Sequence, residues 1–190
     1  MRRRRYLSVA SAALAGLSGC LGDTEYTVTD VSVPERPGPL ALGVEAVDTS
    51  VTVDSPARLS FTLRNDGDSA LSVRTTGVWP FGLLALAPPR ERGPDRSLLL
   101  SDRYAESDHV EVSRTSVGND NEPLVRQLTA GESESRQYEI HGDRLYGAGT
   151  YTLRGYFEPV PLSYRSVGAT DWTAFRPEVT VRVGERSLLP

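Results

Sequence analysis

Apolar residues recur at every second position through much of this chain, the period of a β-strand with one buried face. The clearest case is Ala57–Arg64. There Leu59, Phe61 and Leu63 fall on one face, and Arg58, Ser60, Thr62 and Arg64 on the other. Tyr26–Val33, Leu42–Val47 and Val51–Val53 come before it with shorter versions of the same pattern. Pro34, Pro37, Gly38 and Pro39 break the chain between the first two. Asn65-Asp66-Gly67-Asp68 is a turn, because these residues reach positive φ at little cost. Leu71–Arg74 then resumes the alternation. Residues 57–75 therefore read as a hairpin or as a turn that carries the chain between two sheets.

Ser97–Ser101, His109–Ser113, Ser135–Ile140, Leu145–Phe157 and Phe175–Val183 are further strand candidates, with a loop at 118–123 and a turn within Leu128–Ser133. No helical period lasts beyond a turn or two, and no spacing repeats. The most apolar part of the chain past residue 20 is Val78–Pro89, where Pro80 confines any strand through Trp79 to an edge or an end. If exposed, this segment would offer Trp79 and Phe81 as anchors for a partner. Its expected place is instead a core strand stopped by Pro88 and Pro89. A second aromatic set, Tyr156, Phe157, Tyr164 and Trp172, lies near Pro159 and Pro161. It reads chiefly as core and loop packing, with Trp172 kept as a candidate contact residue.

The N-terminus has another logic. Arg2–Arg5 precede an apolar run of about eleven residues, Leu7–Leu17, which is short of the roughly 20 that span a bilayer. Leu17-Ser18-Gly19-Cys20 closes the run with small residues before the only cysteine. This arrangement resembles a lipoprotein export signal, and Arg3, Arg4, Tyr6 and Leu7 resemble the twin-arginine version of it. The resemblance implies cleavage after Gly19 and a lipid on the Cys20 thiol, which would tie the protein to the outer face of the membrane. One acyl chain anchors only marginally, so stable attachment implies a diacylglyceryl-type anchor or further acylation. With its one thiol so used, the chain has no disulfide or cysteine-metal chemistry. The expected organisation is a signal peptide (1–19), a lipidated tether (20–25) and one domain (26–190).

Phe61–Asp68, Leu128–Ser133 and Gly149–Leu153 supply, in order, a strand-turn, a turn-strand and a turn entering a strand. Together they resemble an immunoglobulin-like domain, the resemblance covering about residues 42–183. It implies an all-β fold, an immunoglobulin-like antiparallel β-sandwich. It also implies a tyrosine corner within 145–151, formed by Tyr146 or Tyr151. A plain seven-stranded domain needs about 100 residues, so the stretch from about 79 to 121 is expected as an insertion that elaborates the middle of the domain.

Charge narrows the setting. The chain carries −4, and all 25 acidic residues follow Gly19, whereas four of the 21 basic ones precede it. Past the signal 17 arginines face 25 acids, a balance of −8, and there is no lysine. An acidic, lysine-free composition resembles that of haloarchaeal proteins, whose surfaces are soluble in strong salt. At molar salt the screening length is about 3 Å, so self-repulsion costs little. The absence of a basic patch past residue 20 argues against nucleic-acid binding.

Catalytic motifs are absent. No Gly-x-Ser-x-Gly elbow follows the signal, and no phosphate-cradling glycine loop is present. His109 and His141 are the only histidine bases available. Asp102, Glu106, Asp108, His109 and Glu111, with Asn119–Glu122, offer many hard oxygen ligands, but their spacing matches no EF-hand, and such runs on an acidic surface are usually solvated. No metal or cofactor is expected. The expected function is that of a lipid-anchored extracytoplasmic surface protein. It would be a non-enzymatic binding or structural module with a protein partner in the cell envelope. The alternative is a solute- or carbohydrate-binding accessory that uses exposed aromatics such as Trp79 and Trp172.

Overall fold

The computed structural model describes residues 25–89, 96–113, 116–157 and 162–186. The export-signal residues Arg3, Arg4, Tyr6, Leu7, Leu17, Ser18, Gly19 and Cys20 lie outside them, as do Pro159 and Pro161. The described residues form fifteen strands and no α-helix. In chain order these are β1 (Tyr26–Ser32), β2 (Leu40–Asp48), β3 (Ser50–Val51), β4 (Ala57–Asn65) and β5 (Leu71–Thr76). Then come β6 (Leu84–Ala87), β7 (Ser97–Leu98), β8 (Val110–Val112), β9 (Val117–Asn119) and β10 (Pro123–Leu128). The last are β11 (Ser133–Ile140), β12 (Gly149–Gly155), β13 (Leu162–Ser166), β14 (Thr173–Phe175) and β15 (Thr180–Glu185).

Their antiparallel pairings make an all-β sandwich of several packed sheets. One sheet runs β3-β1-β15-β12-β6-β7 and a second runs β11-β4-β2. A third, β10-β5-β13-β14, continues the fold, and β8-β9 is a small separate hairpin. The alternation along β4 sets the core. Leu59, Phe61 and Leu63 are fully buried, and so are Tyr138 and Ile140 on β11. Facing them from the six-stranded sheet are Leu84, Leu86, Tyr151, Leu153, Val181 and Val183, all buried. Phe61, Phe81 and Tyr138 meet as an aromatic group, with Phe61 5.2 Å from Tyr138 and 5.9 Å from Phe81 between ring centres. The edge-on and tilted geometry suits the ring quadrupoles.

Residues 57–75 are not a hairpin. β4 belongs to the three-stranded sheet and β5 to the four-stranded one, so the turn between them switches sheets. Asn65, fully buried, holds the switch. Its Nδ2 donates to the carbonyls of Ser69, Leu128 and Thr129 at 2.9, 2.9 and 3.1 Å. Its Oδ1 accepts from the Gly67 N–H at 3.0 Å. One amide thus ties the end of β4 to both ends of the turn and to the end of β10.

Two expectations need correction. Trp79 and Phe81 are 5% and 3% exposed, in the core where Val78–Pro89 was expected, which overturns them as candidate partner contacts. Phe81 completes the aromatic group, and Arg126 lies across the Trp79 ring at 5.8 Å. Burial wins here because the apolar run Val78–Leu86 packs directly against the rest of the core cluster. For the same reason residues 79–121 are not wholly an insertion. β6 pairs with β12 and β7 pairs with β6, so both are part of the six-stranded sheet. Within 100–121 the outlying part is the β8-β9 hairpin, whereas the 3-10 turn at Asp102–Tyr104 returns Tyr104 to the core.

The tyrosine corner forms on Tyr151. Its hydroxyl donates to the Gly147 carbonyl at 2.6 Å and accepts from the Tyr146 N–H at 3.1 Å. Tyr146 itself is 41% exposed. The corner fixes the loop that enters β12.

The chain enters and leaves the sandwich at one end. Glu25 accepts the Arg186 N–H at 2.8 Å through its carbonyl, and their side chains pair at 3.5 Å. Tyr26, Val51, His141 and Gly142 line one cavity of about 440 Å³ at this end. β4 starts here, with Ala57 opposite Ile140, and nine extended residues carry it about 27 Å away. Asn65 and the start of the four-stranded sheet therefore lie at the end remote from Tyr26.

Candidate functional site

The outer face of the four-stranded sheet carries the most distinctive cluster of polar and aromatic side chains. Its inner face is set by Leu71, Val73, Leu128 and Leu162, all buried. Because side chains alternate along a strand, Ser72 and Arg74 of β5 point outward. The register places Ser163 opposite Arg74 and Arg165 opposite Ser72. Gln127 also lies opposite Ser72, and Val125 opposite Arg74. Directly paired residues share a face, so all six lie on the outer side of the sheet, although Ser72 is only 8% exposed.

Trp172, just before β14, packs over this row. The guanidinium carbons of Arg74 and Arg165 each lie 4.4 Å from the indole centroid. Each such cation–π contact is worth roughly 0.5–1 kcal/mol at a partly exposed position, so the three side chains hold one another. Arg74 Nε donates to Ser163 Oγ at 3.2 Å. Arg165 Nη1 donates to the Thr170 carbonyl at 3.3 Å. Arg165 Nε is buried and finds no hydrogen-bond partner among the described residues. Neither guanidinium has a carboxylate within 4.0 Å among the described residues, a state they share with Arg58, Arg126 and others, so what sets them apart is their shared stack on Trp172.

Trp172 thus stands as a candidate contact residue, half-buried and in polar company. The remaining aromatics of its sequence neighbourhood separate. Tyr156 and Phe157 meet edge-on at 5.0 Å, and Tyr164 packs against the core from the inner side. The sequence pattern does not single out Arg74 or Arg165. The alternation through Leu71–Arg74 is enough to turn Arg74 outward, but nothing in the sequence shows Arg165 beside it, since β13 has one fully buried residue.

A second cluster lies at the β8-β9 hairpin. His109 Nδ1 and Asp120 Oδ2 are 2.8 Å apart, and Glu122 is close enough that one ligand atom from each lies within 4.8 Å of the others. The hydrogen bond to Asp120 raises the His109 pKa above the usual imidazole value. The Asp120 carboxyl is lowered, first by the Glu122 N–H that it accepts and then by His109. The chemistry of this donor set suits a divalent transition metal, but His109 and Asp120 already spend their facing atoms on each other. His141 Nε2 is likewise 2.9 Å from Glu139 Oε2. A further groove of about 780 Å³ holds Arg36, Arg154 and Arg176, with Arg36 paired to Glu178.

No helix among the described residues is long and apolar enough to cross a membrane. No curated protein matches the chain. The family described as "Domain of unknown function (DUF8130)" matches it over residues 1–190, and the chain belongs to that family.

Proposed function

We propose that this protein is a lipid-anchored, extracytoplasmic binding module, held to the membrane through Cys20 and presenting the four-stranded sheet to its surroundings. The N-terminal motif, Arg3-Arg4-Arg5-Tyr6-Leu7 through Leu17-Ser18-Gly19-Cys20, supports the address. The observation that carries the functional reading is the polarity of the sandwich. The tether enters beside Tyr26, and the Arg74–Trp172–Arg165 cluster sits on the sheet that starts at the opposite end. An anchored protein built this way turns that face away from the lipid.

The strand pairing supports an immunoglobulin-like reading of the sandwich, with β12 between β15 and β6 and β4 between β2 and β11. The Tyr151 corner adds to it. We read the protein as a binding module and not an enzyme, on the absence of a nucleophile motif from the sequence. The second reading, recognition of a solute or carbohydrate, is favoured by the position of Trp172. The acidic, lysine-free surface fits work in strong salt.

Cys20→Ser tests the address. The variant should leave the membrane fraction for the medium, and undiminished membrane retention would refute the anchor.

A further inference from the structure

We infer that the Arg74–Trp172–Arg165 stack is an oxyanion receptor, and that its ligand is an acidic saccharide bearing carboxylate or sulfate groups. The inference rests on reading the outer face as a recognition surface and is independent of the anchor at Cys20.

Both guanidiniums lie 4.4 Å from the indole centroid, so they have set positions before any ligand arrives. Preorganised forks lose less entropy on binding. Arg74 uses only Nε internally, toward Ser163, and Arg165 uses one Nη, toward Thr170. The remaining Nη–H groups are donors without a carboxylate among the described residues, while the Nε of Arg165 is buried and turned away from any ligand on this face. A planar fork of this kind binds carboxylate or sulfate oxygens by two parallel hydrogen bonds. Arg74 and Arg165 are diagonal neighbours on adjacent strands, which matches a ligand with more than one oxyanion.

The surroundings favour a saccharide over a protein. Ser163 and Gln127 flank the forks with hydrogen-bonding groups suited to sugar hydroxyls, whereas Ser72 between them is only 8% exposed. Val125, 48% exposed, is the one large aliphatic on this face of the described strands. A protein interface of standard size needs a broader apolar centre than that.

The test uses the full-length chain in detergent at about 0.15 M and at about 2 M salt, with far-UV circular dichroism confirming the β fold at each and binding read wherever the fold is intact. The probes are polygalacturonate, dextran sulfate, neutral dextran, poly-glutamate and inorganic sulfate, titrated by calorimetry. At least one of the two acidic polysaccharides should bind, and neutral dextran should not. Arg165→Gln and Arg74→Gln should each weaken that binding at least tenfold. Arg58→Gln, on the exposed side of β4, should change it less than twofold. The inference is overturned if neither acidic polysaccharide binds, or if neutral dextran binds as well. It is also overturned if Arg58→Gln is as damaging as Arg165→Gln, which would mean diffuse charge attraction. Equal affinity for inorganic sulfate would make this a simple anion site, and tighter binding of poly-glutamate would assign it to an acidic protein. Loss of binding with the anchor intact would refute this inference alone, because Cys20→Ser reads the anchor separately.

Discussion

Asn65 makes the densest set of side-chain hydrogen bonds at the connection between two sheets, and Asn65→Ala measures what they contribute. The substitution removes four side-chain hydrogen bonds: three donated by Nδ2 and one accepted by Oδ1. Nδ2 has two hydrogens for three carbonyls, so at most three bonds count at full strength. A net 0.5–1.5 kcal/mol each, with a buried group left unpaired, gives a loss of about 3–4 kcal/mol. That is a large share of the roughly 5–15 kcal/mol that holds a domain of this size together. Urea unfolding of the variant and parent should show the difference as a lower midpoint with an unchanged slope. A loss under about 1 kcal/mol would refute the claim that this amide holds the sheet switch. Asn65→Asp sharpens the test. It keeps the shape but aims a carboxylate at three carbonyl oxygens, which raises its folded-state pKa. Its penalty should therefore be small below the ordinary Asp value of about 3.9 and grow as pH rises through and beyond it. A variant equally destabilised at pH 3 and pH 7 would contradict the geometry.

Other residues give independent checks. Tyr151→Phe keeps the buried ring but removes both hydroxyl contacts, and thermal unfolding should show a loss of about 1–2 kcal/mol. Gly77→Ala should be markedly destabilising in the same assay. Its φ is +79°, and an added Cβ would lie 2.6 Å from Leu83 Cδ1 and 2.9 Å from Val110 Cγ2. The His109–Asp120 pair has a pH window. The histidine's contribution is present below its unfolded value of 6.5 and lost as pH rises through its higher folded value. The aspartate's is present above its unfolded 3.8 and lost as pH falls through its lower folded value. The pair should therefore stabilise most between those unfolded values, and Asp120→Asn should lower the His109 midpoint in an NMR titration.

The strands with regular alternation are legible in the amino-acid sequence. β4, β12 and β15 each bury every second residue, which is the signal that a period-two pattern carries. β10, β13 and β14 are not legible in this way, because each has only one buried residue. Their place in the sheet built on β5, not their own pattern, makes them strands. The Asn65–Asp68 turn is visible, but a turn motif does not say whether the next strand returns to the same sheet. The packing of Asn65 decides that. Trp79 and Phe81 show the limit of composition, since an apolar run looks the same whether it fills a core or covers a patch. Trp172 stands out in the sequence as an aromatic near prolines, yet its chemical setting comes from two arginines on strands far apart along the chain.

How the protein is held matters most, because the proposed anchor at Cys20 would decide which end of the sandwich faces outward. Intact mass measurement of the protein isolated from its native membrane tests this most directly. The predicted result is a chain that begins at Cys20 and carries the added mass of a lipid on that residue. A chain with residues 1–19 still present and an unmodified Cys20 thiol would contradict it.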